Sequence, residues 1–548
     1  MTRLPLRRRE GVPGADPDVA TASAVAAAAA QDVAQQARAD AVLGAPPAPL
    51  RLVFVMSTVT GYFRFVEPPI RLLLERGHHV HVVFERHRAE EARWLESIHE
   101  EHPRFTWSRA GFLKLDPWYE FAHDVVAARD YVHVLRPRFA NAPSLIGRAR
   151  KRAPKPIHKI LWFPPARSAP VLAAFDFLLR TVEEALPPAA GLSRFVAEQR
   201  PDVLLLAPHL MPGARSDQYI EAADQLGVPS AICVASWDNL SSKQLIRRIP
   251  DVVLVWNETQ RREAVQLHDI PADKVVVTGA QCYDHWFSWT ASPREDFCRR
   301  AGLDPDRPYV LYVAGALFPA EITESEFVLR WIERLRSSAD PALREAGVLV
   351  RPHPNRTAEW HDVDLAALPH VSLFPGGPGR MPIARDARQD YYDSLYHSAA
   401  VFGVNTSAMI EAGIVGRPVH TLMVPEFSGS QDGTLHFQYL TEAGGGLLRV
   451  AHSFEEHLAQ LGEAVRRDGD GFGRTEFLEA FVRPYGLGVP ATPLFVAAVE
   501  RLGQRKRKVP RRDRRLWLRP LRTALLRYLR ARRWDREHAF ARERAEVD

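Results

Sequence analysis

The sequence predicts an α/β protein of two Rossmann-like domains, each a doubly wound parallel sheet, that face each other across a cleft. Short apolar runs alternate with amphipathic stretches from residue 51 to about residue 279, and again from residue 309 to about residue 422. Buried parallel strands have this apolar character, and helices connect them. The junction at residues 286–306 separates the two sets.

The first set begins with an apolar strand at residues 52–56, followed by an amphipathic helix at residues 66–76 that Gly77 ends. Residues 79–84 form the next strand and complete a βαβ unit. Further strands are predicted at residues 203–207, 230–235, 252–256 and 274–279, with helices near 218–226 and 258–268. Residues 100–200 are rich in Arg, Pro and aromatic residues with weaker periodicity, so we expect helices and insertions there.

The second set predicts strands at residues 309–315, 347–354, 399–404 and 418–422, with helices near 325–337, 391–398 and 407–415. The expected domains are therefore an acceptor domain (50–288) and a nucleotide-donor domain (289–470). Closing helices follow at 471–500. An Ala- and Pro-rich leader (1–49) should be disordered or weakly helical. Residues 501–548 form a basic tail.

Composition excludes several classes of protein. The chain has 548 residues, of which 46% are hydrophobic and 25% charged, so it can bury a core in each of several domains. Its three cysteines are too few and too scattered for a disulfide framework or a four-cysteine zinc site. No signal peptide and no apolar run of spanning length is visible, so we expect a cytoplasmic protein.

The net charge of +6 combines two unlike parts. Residues 501–548 carry 18 Lys and Arg against 6 Asp and Glu, or +12, which leaves 54 against 60, or −6, for the first 500 residues. Leucines recur at helical spacing in the tail, so residues 511–534 predict an interfacial helix on an anionic membrane surface. A solvated charge run is the main alternative, and nucleic-acid binding is the weaker one.

The richest polar segment follows the strand at residues 399–404. Asn405, Thr406 and Ser407 would cap a helix whose first amide groups suit a phosphate. Glu411 lies one turn further along the same face, where a carboxylate can accept hydrogen bonds from two ribose hydroxyls. The alternative is an ordinary capped helix of an α/β sheet.

A second polar segment, Arg351 to Pro354, follows the strand that begins at residue 347. Arg351 offers a planar fork of donors to a phosphate, and His353 can donate to a phosphate oxygen. The alternative is a strand-ending proline turn with a solvated arginine.

These two segments and the repeated architecture resemble the GT-B glycosyltransferases, in particular the branch of CDP-glycerol glycerophosphotransferases and UDP-N-acetylglucosamine 2-epimerases. The resemblance covers roughly residues 51–461. It implies that His353, Thr406 and Ser407 bind the phosphates of the donor and that Glu411 holds its ribose. It also implies a nucleotide-activated donor as co-substrate.

A third segment, residues 236–243, gathers a Trp, a carboxylate, hydroxyls and an ammonium group after a predicted strand. The glycerophosphotransferases have a similar loop with a His as candidate base, and Asp238 occupies that place here. Asp238 could deprotonate an acceptor hydroxyl, and Lys243 could neutralise donor phosphate. The alternative is an Asx-turn residue beside a surface lysine.

Weaker signals complete the predicted site. Gly61 and Tyr62 follow the first strand and are assigned to the acceptor side, and Gly279 and Gln281 to the donor site. The histidines at positions 78, 79 and 81 have no acidic or cysteine partners nearby, so we expect no metal site. Neither a P-loop nor a G-x-G-x-x-G motif occurs, so no cofactor is predicted.

The sequence therefore predicts a metal-independent glycosyltransferase, or a related transferase, that moves a sugar or polyol phosphate from a nucleotide to a glycan or lipid-linked acceptor. Assembly of cell-envelope polysaccharide is the expected setting. One alternative is a UDP-N-acetylglucosamine 2-epimerase-like enzyme, which needs no acceptor. The other is a non-catalytic binding protein held at a membrane.

Overall fold

Two parallel β-sheets organise the chain. The computed structural model describes residues 41–86, 91–110, 118–186, 190–207, 215–316, 320, 322–361, 363–376, 383–469, 473–505, 509, 518 and 520–528. Within them, one sheet has seven strands and the other has six, and every strand pair is parallel. The predicted fold class is confirmed.

The first sheet holds β1 (Arg51–Thr58), β2 (His79–Arg86), β3 (Phe105–Arg109), β4 (Val203–Leu206), β5 (Ser230–Cys233), β6 (Val252–Val255) and β7 (Val275–Val277), in the order β3-β2-β1-β4-β5-β6-β7. Its helices are α1 (Val59–Gly61), α2 (Glu67–Glu75), α3 (Ala92–Glu101), α4 (Tyr119–Val134), α5 (Pro143–Arg152), α6 (Lys155–Ile160), α7 (Ala169–Ala185), α8 (Ala190–Gln199), α9 (Ser216–Leu226), α10 (Asn239–Ser242) and α11 (Glu258–His268). A π-helical turn, Tyr62–Val66, joins α1 to α2.

Both faces of this sheet are covered, which explains the continuous apolar runs of its strands. Leu52 and Phe54 of β1 belong to the core on one face, whereas Val53 and Val55 belong to the core on the other. Alternate side chains of a strand point to opposite faces, so a doubly covered strand must be apolar throughout.

The prediction for residues 100–200 is wrong at one place. Residues 119–199 are largely helical as expected, but Phe105–Arg109 forms the edge strand β3. Only Phe105 is fully buried in that strand, since an edge strand has fewer neighbours. No apolar run therefore marks it in the sequence.

The second sheet holds β8 (Tyr309–Val313), β9 (Gly347–Arg351), β10 (Val371–Leu373), β11 (Ala400–Phe402), β12 (Val419–Leu422) and β13 (Leu448–Ala451), in the order β10-β9-β8-β11-β12-β13. Its helices are α12 (Arg294–Ala301), α13 (Glu324–Arg336), α14 (Pro341–Glu345), α15 (Arg385–Tyr396), α16 (Ala408–Ile414), α17 (Leu435–Glu442), α18 (Phe454–Arg466) and α19 (Thr475–Phe481). In both sheets the strand order reverses beside the first strand, and open α/β sheets bind ligands at such a point.

The helix α20 (Ala491–Gly503) packs against the first domain, although the second domain precedes it in the chain. Phe495 and Val499 of α20 belong to the same core as β1. Glu500 forms an ion pair with Arg76 at 2.7 Å and accepts a hydrogen bond from Nε2 of the buried His78 at 2.9 Å. The last helix of the two-domain body therefore ties the end of the second domain to the first.

The two ends of the chain are described only in part. Most of the predicted leader lies outside the described residues. In its described part, Leu43 packs on the core that contains Leu52 and Phe54 of β1. In the tail, residues 520–528 are helical, and Pro520 is the first of them. Leu525 and Leu526 pack on Trp118 and Leu186, and the rest of residues 511–534, apart from Leu518, lies outside the described part.

Candidate active site

A cavity of about 160 Å³ lies between the two domains, at the carboxyl ends of both sheets. The segments after β1, β7, β8, β9 and β11 contribute to its wall, together with α15. Five of the predicted site residues line it, namely Arg351, His353, Thr406, Ser407 and Glu411. The cavity therefore lies at the position where this strand topology usually places a ligand site.

Arg64 enters the cavity from the π-helical turn of the first domain. Its Nη2 atom donates a hydrogen bond to Ser407 Oγ of the second domain at 2.5 Å. Burial is the largest single effect and opposes its charged form, but the nearby Glu411 carboxylate together with Tyr283 and Tyr391 raises the pKa of Arg64 above its usual value. Arg64 is thus a permanent cation at the centre of the cleft.

Glu411 is buried at the cavity wall on α16 and accepts a hydrogen bond from the hydroxyl of Tyr391. Burial raises the pKa of the Glu411 carboxyl, whereas Arg64 and the Tyr391 hydrogen bond act in the opposite direction. Both neighbours stabilise the carboxylate, so this acidic group is held in place for a polar ligand.

Arg351 lies at the end of β9 with its guanidinium over the ring of Tyr391, 4.6 Å from the centroid. Burial lowers the pKa of Arg351 to about 10. Its Nη1 atom is buried and has no hydrogen-bond partner within the described part of the chain. An unpaired buried donor is costly, and an anionic ligand in the cavity would relieve that cost.

His353 is a neutral donor at physiological pH. Burial, aided by Arg64 and Arg356, lowers the pKa of its imidazole to about 4. The backbone amide of Asn355 donates to His353 Nδ1 at 3.2 Å, so the neutral ring carries its proton on Nε2. His353 can therefore donate one hydrogen bond without adding charge to the site.

Asp238 and Lys243 lie outside the residues that line the cavity, and they pair with each other at 2.8 Å. The hydroxyls of Ser236 and Ser242 each donate to Asp238 at 2.7 Å. Although burial acts the other way, Lys243 and these donors hold the pKa of Asp238 far below its usual value. A carboxylate held in this way is a weak base, and the assignment of Asp238 as the acceptor base stays a prediction.

Asn405 directly precedes Thr406 and Ser407, which line the cavity, but its own side chain makes its contacts elsewhere. Its amide donates to the carbonyl of Ser430 and lies 3.5 Å from His436 Nε2. The His436 ring packs edge-on against Trp237 of the first domain, with the centroids 4.8 Å apart. Asn405 therefore belongs to a second contact between the domains, beside Asp238, and its role as a donor-binding residue stays a prediction.

Gly279 and Gln281 are not among the residues that line the cavity, and their contacts are with neighbouring protein segments. Gly279 adopts φ +84°, and a Cβ atom there would lie 2.7 Å from the Cβ of Ala491 at the start of α20. Gln281 is buried and donates to the carbonyl of Phe65 at 3.4 Å. Both contacts are structural, and donor binding by these two residues stays a prediction.

On the acceptor side, both predicted residues are buried in the first domain and do not line the cavity. Tyr62 is fully buried and packs against Phe63 and Phe105, and Gly61 is buried in α1. Instead of these two, the lining residues of this segment are Thr60, Phe63, Arg64 and Phe65. The signal that could have revealed Arg64 is an arginine between aromatic residues directly after the first strand.

Sequence reasoning also missed the aromatic wall of the cavity. Trp286 stacks on Tyr392 with the centroids 5.5 Å apart and meets Tyr391 edge-on at 5.3 Å. The rings come from the segment after β7 and from α15, so they join the two domains. Flat apolar surfaces of this kind suit a base or a sugar face.

Two features are absent from the described part of the chain. No group of His, Cys, Asp or Glu side chains there has the arrangement of a metal site. Likewise, among the helices that the structure describes, none combines the length and the apolar character needed to cross a membrane.

Two Rossmann-like domains with a ligand cavity at the facing carboxyl ends of their sheets define an architecture of GT-B type. No family model matches the chain, and no curated protein does. Solved structures resemble it, among them UDP-GlcNAc 2-epimerases and glycosyltransferases, at 10–14% identity.

Three of these structures show the extent of the likeness. The UDP-GlcNAc 2-epimerase of Methanocaldococcus jannaschii is 12% identical, with a TM-score of 0.45, over 82% of this chain and 99% of that one. A glycosyltransferase of Rickettsia africae is 10% identical, with a TM-score of 0.45, over 84% and 100%. HepE of Anabaena, solved with UDP-glucose, is 10% identical, with a TM-score of 0.43, over 82% and 98%.

Proposed function

We propose that this chain is a nucleotide-sugar-dependent transferase whose donor binds in the cavity between the two domains. One observation carries the proposal: the cleft places two arginines and a neutral histidine around the turn that opens α16. Arg64 comes from the first domain, and Arg351 and His353 come from the second. A diphosphate needs such a set of cationic and neutral donors.

The donor's diphosphate would lie between Arg64, Arg351 and His353. It would accept hydrogen bonds from Arg351 Nη1, which lacks a partner within the described part of the chain, and from the Nε2–H of His353. In sugar transfer the bond between the sugar and the diphosphate breaks, and in polyol-phosphate transfer the phosphoanhydride bond breaks; in both cases negative charge grows on the phosphate that departs with the nucleotide. Fixed donors that face this charge lower the barrier because they need not reorient.

Glu411 would hold the ribose. At present it accepts a hydrogen bond from Tyr391, and a bound ribose would present two hydroxyl donors to the same carboxylate. The aromatic wall formed by Trp286 and Tyr391 offers a flat surface to the nucleobase or the sugar. The cavity is small for a whole nucleotide sugar, so donor binding should separate the domains.

The acceptor would enter from the first domain, where Thr60 and Phe63 line the cavity. A glycan or a lipid-linked hydroxyl compound of the cell envelope is the acceptor class that we propose. For Asp238 to act as its base, the acceptor would first have to displace Lys243, because the present ion pair keeps the carboxylate from taking up a proton.

Calorimetric titration with nucleotide-diphosphate sugars tests the donor site. We expect His353→Ala and Glu411→Ala each to weaken binding at least about tenfold, because each removes a hydrogen bond to the ligand. His361→Ala and Glu442→Ala, which change exposed residues of the same domain, should leave binding intact. Unchanged affinity in both site variants would refute the assignment.

Two further outcomes separate the alternatives. Incubation with UDP-N-acetylglucosamine alone would give an isomerised nucleotide sugar if the chain were an epimerase. A chain that binds a nucleotide sugar but never transfers or hydrolyses it, with any acceptor tried, would be a binding protein. A transferase releases the nucleotide when an acceptor is added.

A further inference from the structure

Helix α7 turns an apolar face to the solvent. Five residues on consecutive turns of one face, at positions i, i+3, i+4, i+7 and i+8, are exposed, and none of them is polar; they are Pro170, Ala173, Ala174, Phe177 and Leu178. The exposed fractions of Phe177 and Leu178 are 70% and 57%. Leu172, Phe175 and Leu179 pack inward on a hydrophobic core, so α7 is apolar on its outer face as well, where a surface helix normally exposes its polar side.

Charged residues on the inner face fix this orientation. Asp176 and Glu183 both accept hydrogen bonds from the buried Arg129 of α4, at 3.0 Å and 2.7 Å. Glu183 also pairs with Arg247 at 3.2 Å. Rotating α7 to bury Phe177 would break these ion pairs, so the apolar face is held outward by the fold.

The segment before α7 adds three large exposed residues, Ile160, Trp162 and Phe163, with exposed fractions of 47%, 57% and 67%. The turn Pro164–Arg167 joins them to α7. The buried Leu161 anchors the segment, and its carbonyl accepts a hydrogen bond from Arg167 Nε at 2.6 Å. We call residues 150–178 the insertion surface.

The charged side chains from residue 131 to residue 175, a range that includes most of the insertion surface, are all basic. No Asp or Glu occurs between Asp130 and Asp176, whereas nine Lys and Arg residues do. Three of the lysines, at positions 151, 155 and 159, are exposed on α5 and α6. The Arg150 guanidinium lies over the ring of Trp162, 4.7 Å from its centroid, so cations and exposed rings are interleaved.

We propose that the insertion surface docks the protein on an anionic lipid bilayer. Aromatic and aliphatic side chains would enter the interface between headgroups and acyl chains, while the lysines meet anionic headgroups. This surface belongs to the first domain and is distinct from the basic tail. It does not depend on what the cavity binds.

Two other partners fit these observations less well. A symmetric contact with a second copy of the chain would bring two basic surfaces together, and like charges oppose such an interface. A nucleic acid would pair with the lysines, but it offers nothing to the aliphatic face of α7.

Flotation of the full-length chain with vesicles tests the proposal. The protein should float with vesicles of equal parts phosphatidylglycerol and phosphatidylcholine, and far less with phosphatidylcholine alone. Phe177→Ser combined with Leu178→Ser should reduce binding at least about tenfold, because both side chains lose their apolar burial. Lys151→Glu, Lys155→Glu and Lys159→Glu together should abolish the preference for the anionic lipid.

Matched variants elsewhere serve as controls. Tyr485→Ser removes an exposed aromatic ring outside the insertion surface, and Arg93→Glu with Arg299→Glu and Arg334→Glu changes the net charge equally. Both should float as the unchanged chain does. Thermal unfolding checks that every variant is folded, and replacing exposed residues should leave the melting temperature within a few degrees.

Three results would overturn the proposal. In the first, the α7 variant floats as well as the unchanged chain, which would assign any membrane binding to the tail. In the second, the chain does not float but binds RNA in a manner that the lysine variant loses. In the third, the chain is a dimer by light scattering and the α7 variant is a monomer, which would make this face a contact between copies.

Discussion

Arg64 and Ser407, one from each domain, meet in the cleft through a hydrogen bond of 2.5 Å. A second bridge, between Arg388 and Glu67 at 2.8 Å, closes the cleft nearby. The cavity that remains measures about 160 Å³, whereas sites for drug-sized ligands span roughly 300–1,000 Å³. These polar bridges are therefore contacts that a large ligand must exchange for its own.

Arg64→Ala should weaken the binding of a nucleotide-diphosphate sugar by about ten- to a hundredfold, because a charge-assisted hydrogen bond contributes about 1.5–3 kcal/mol. Arg64→Lys should retain part of the affinity, since it keeps the charge but loses the planar fork. Isothermal titration calorimetry measures both. Arg93→Ala, an exposed arginine of the same domain, is the control, and equal affinities in Arg64→Ala and Arg93→Ala would contradict the prediction.

Glu411→Gln should abolish donor binding but stabilise the free protein at neutral pH. Burial raises the pKa of Glu411 in the folded state. At neutral pH the folded protein therefore bears a free-energy cost for keeping this carboxyl ionised, whereas the unfolded chain bears none. The variant removes this cost, so we expect its melting temperature to rise by about 1–2 °C, a small shift because the unfolding entropy grows with chain length.

The pH dependence supplies the control for Glu411→Gln. The penalty exists only above the pKa of the unfolded carboxyl, so the gain should fade as the pH falls through that value. Glu442→Gln, at an exposed position, should leave the melting temperature unchanged at neutral pH and at lower pH. A melting temperature of Glu411→Gln below that of the unchanged chain at neutral pH would contradict the argument.

Part of the candidate site could be predicted because strand ends mark it. Arg351, His353 and Glu411 follow strands that the apolar runs reveal, and the topology brings such ends together. Arg64 could not be found in this way, since its position depends on a π-helical turn that no periodicity indicates. The Lys243 ammonium group is predicted from the sequence to neutralise a donor phosphate, and nothing in the sequence reveals that it pairs with the Asp238 carboxylate.

The fold could be predicted where strands are buried on both faces. The interior strands appear as apolar runs, whereas β3, β10 and β13 lie at sheet edges, are partly exposed and have no such run. The return of α20 to the first domain is a long-range contact, and local sequence holds no sign of its partner. The run of three valines reveals the fourth edge strand, β7, but the other three edge strands and the return of α20 could be found only from the structure.

Gly279→Ala should destabilise the protein more than another glycine of similar backbone angle. Its φ of +84° already disfavours alanine, and the new Cβ would lie 2.7 Å from that of Ala491 in α20. We expect a loss of about 2–4 kcal/mol from strain and overpacking together. Gly416→Ala has φ +78° and open space around its Cβ, so it should cost only about 1 kcal/mol. Denaturant unfolding compares them, and equal losses would show that the contact with α20 contributes nothing.

Glu263 of α11 and Tyr439 of α17 join the two domains through a hydrogen bond of 2.9 Å, and burial raises the pKa of Glu263 to about 8. The folded state therefore retains a proton that the unfolded chain releases near its ordinary pKa of about 4.3. Stability from this group is complete below that value and is lost as the pH rises towards 8, with a slope of up to about 1.4 kcal/mol per pH unit.

Glu263→Gln removes this titration, so its free energy of unfolding should fall less steeply between about pH 5 and pH 8 than that of the unchanged chain. Glu258→Gln, at an exposed position of the same helix, should keep the original slope. Urea unfolding at several pH values measures all three. Parallel curves for Glu263→Gln and the unchanged chain would mean that Glu263 titrates normally in the folded protein, and that Tyr439 donates its hydrogen bond to an ionised carboxylate at neutral pH.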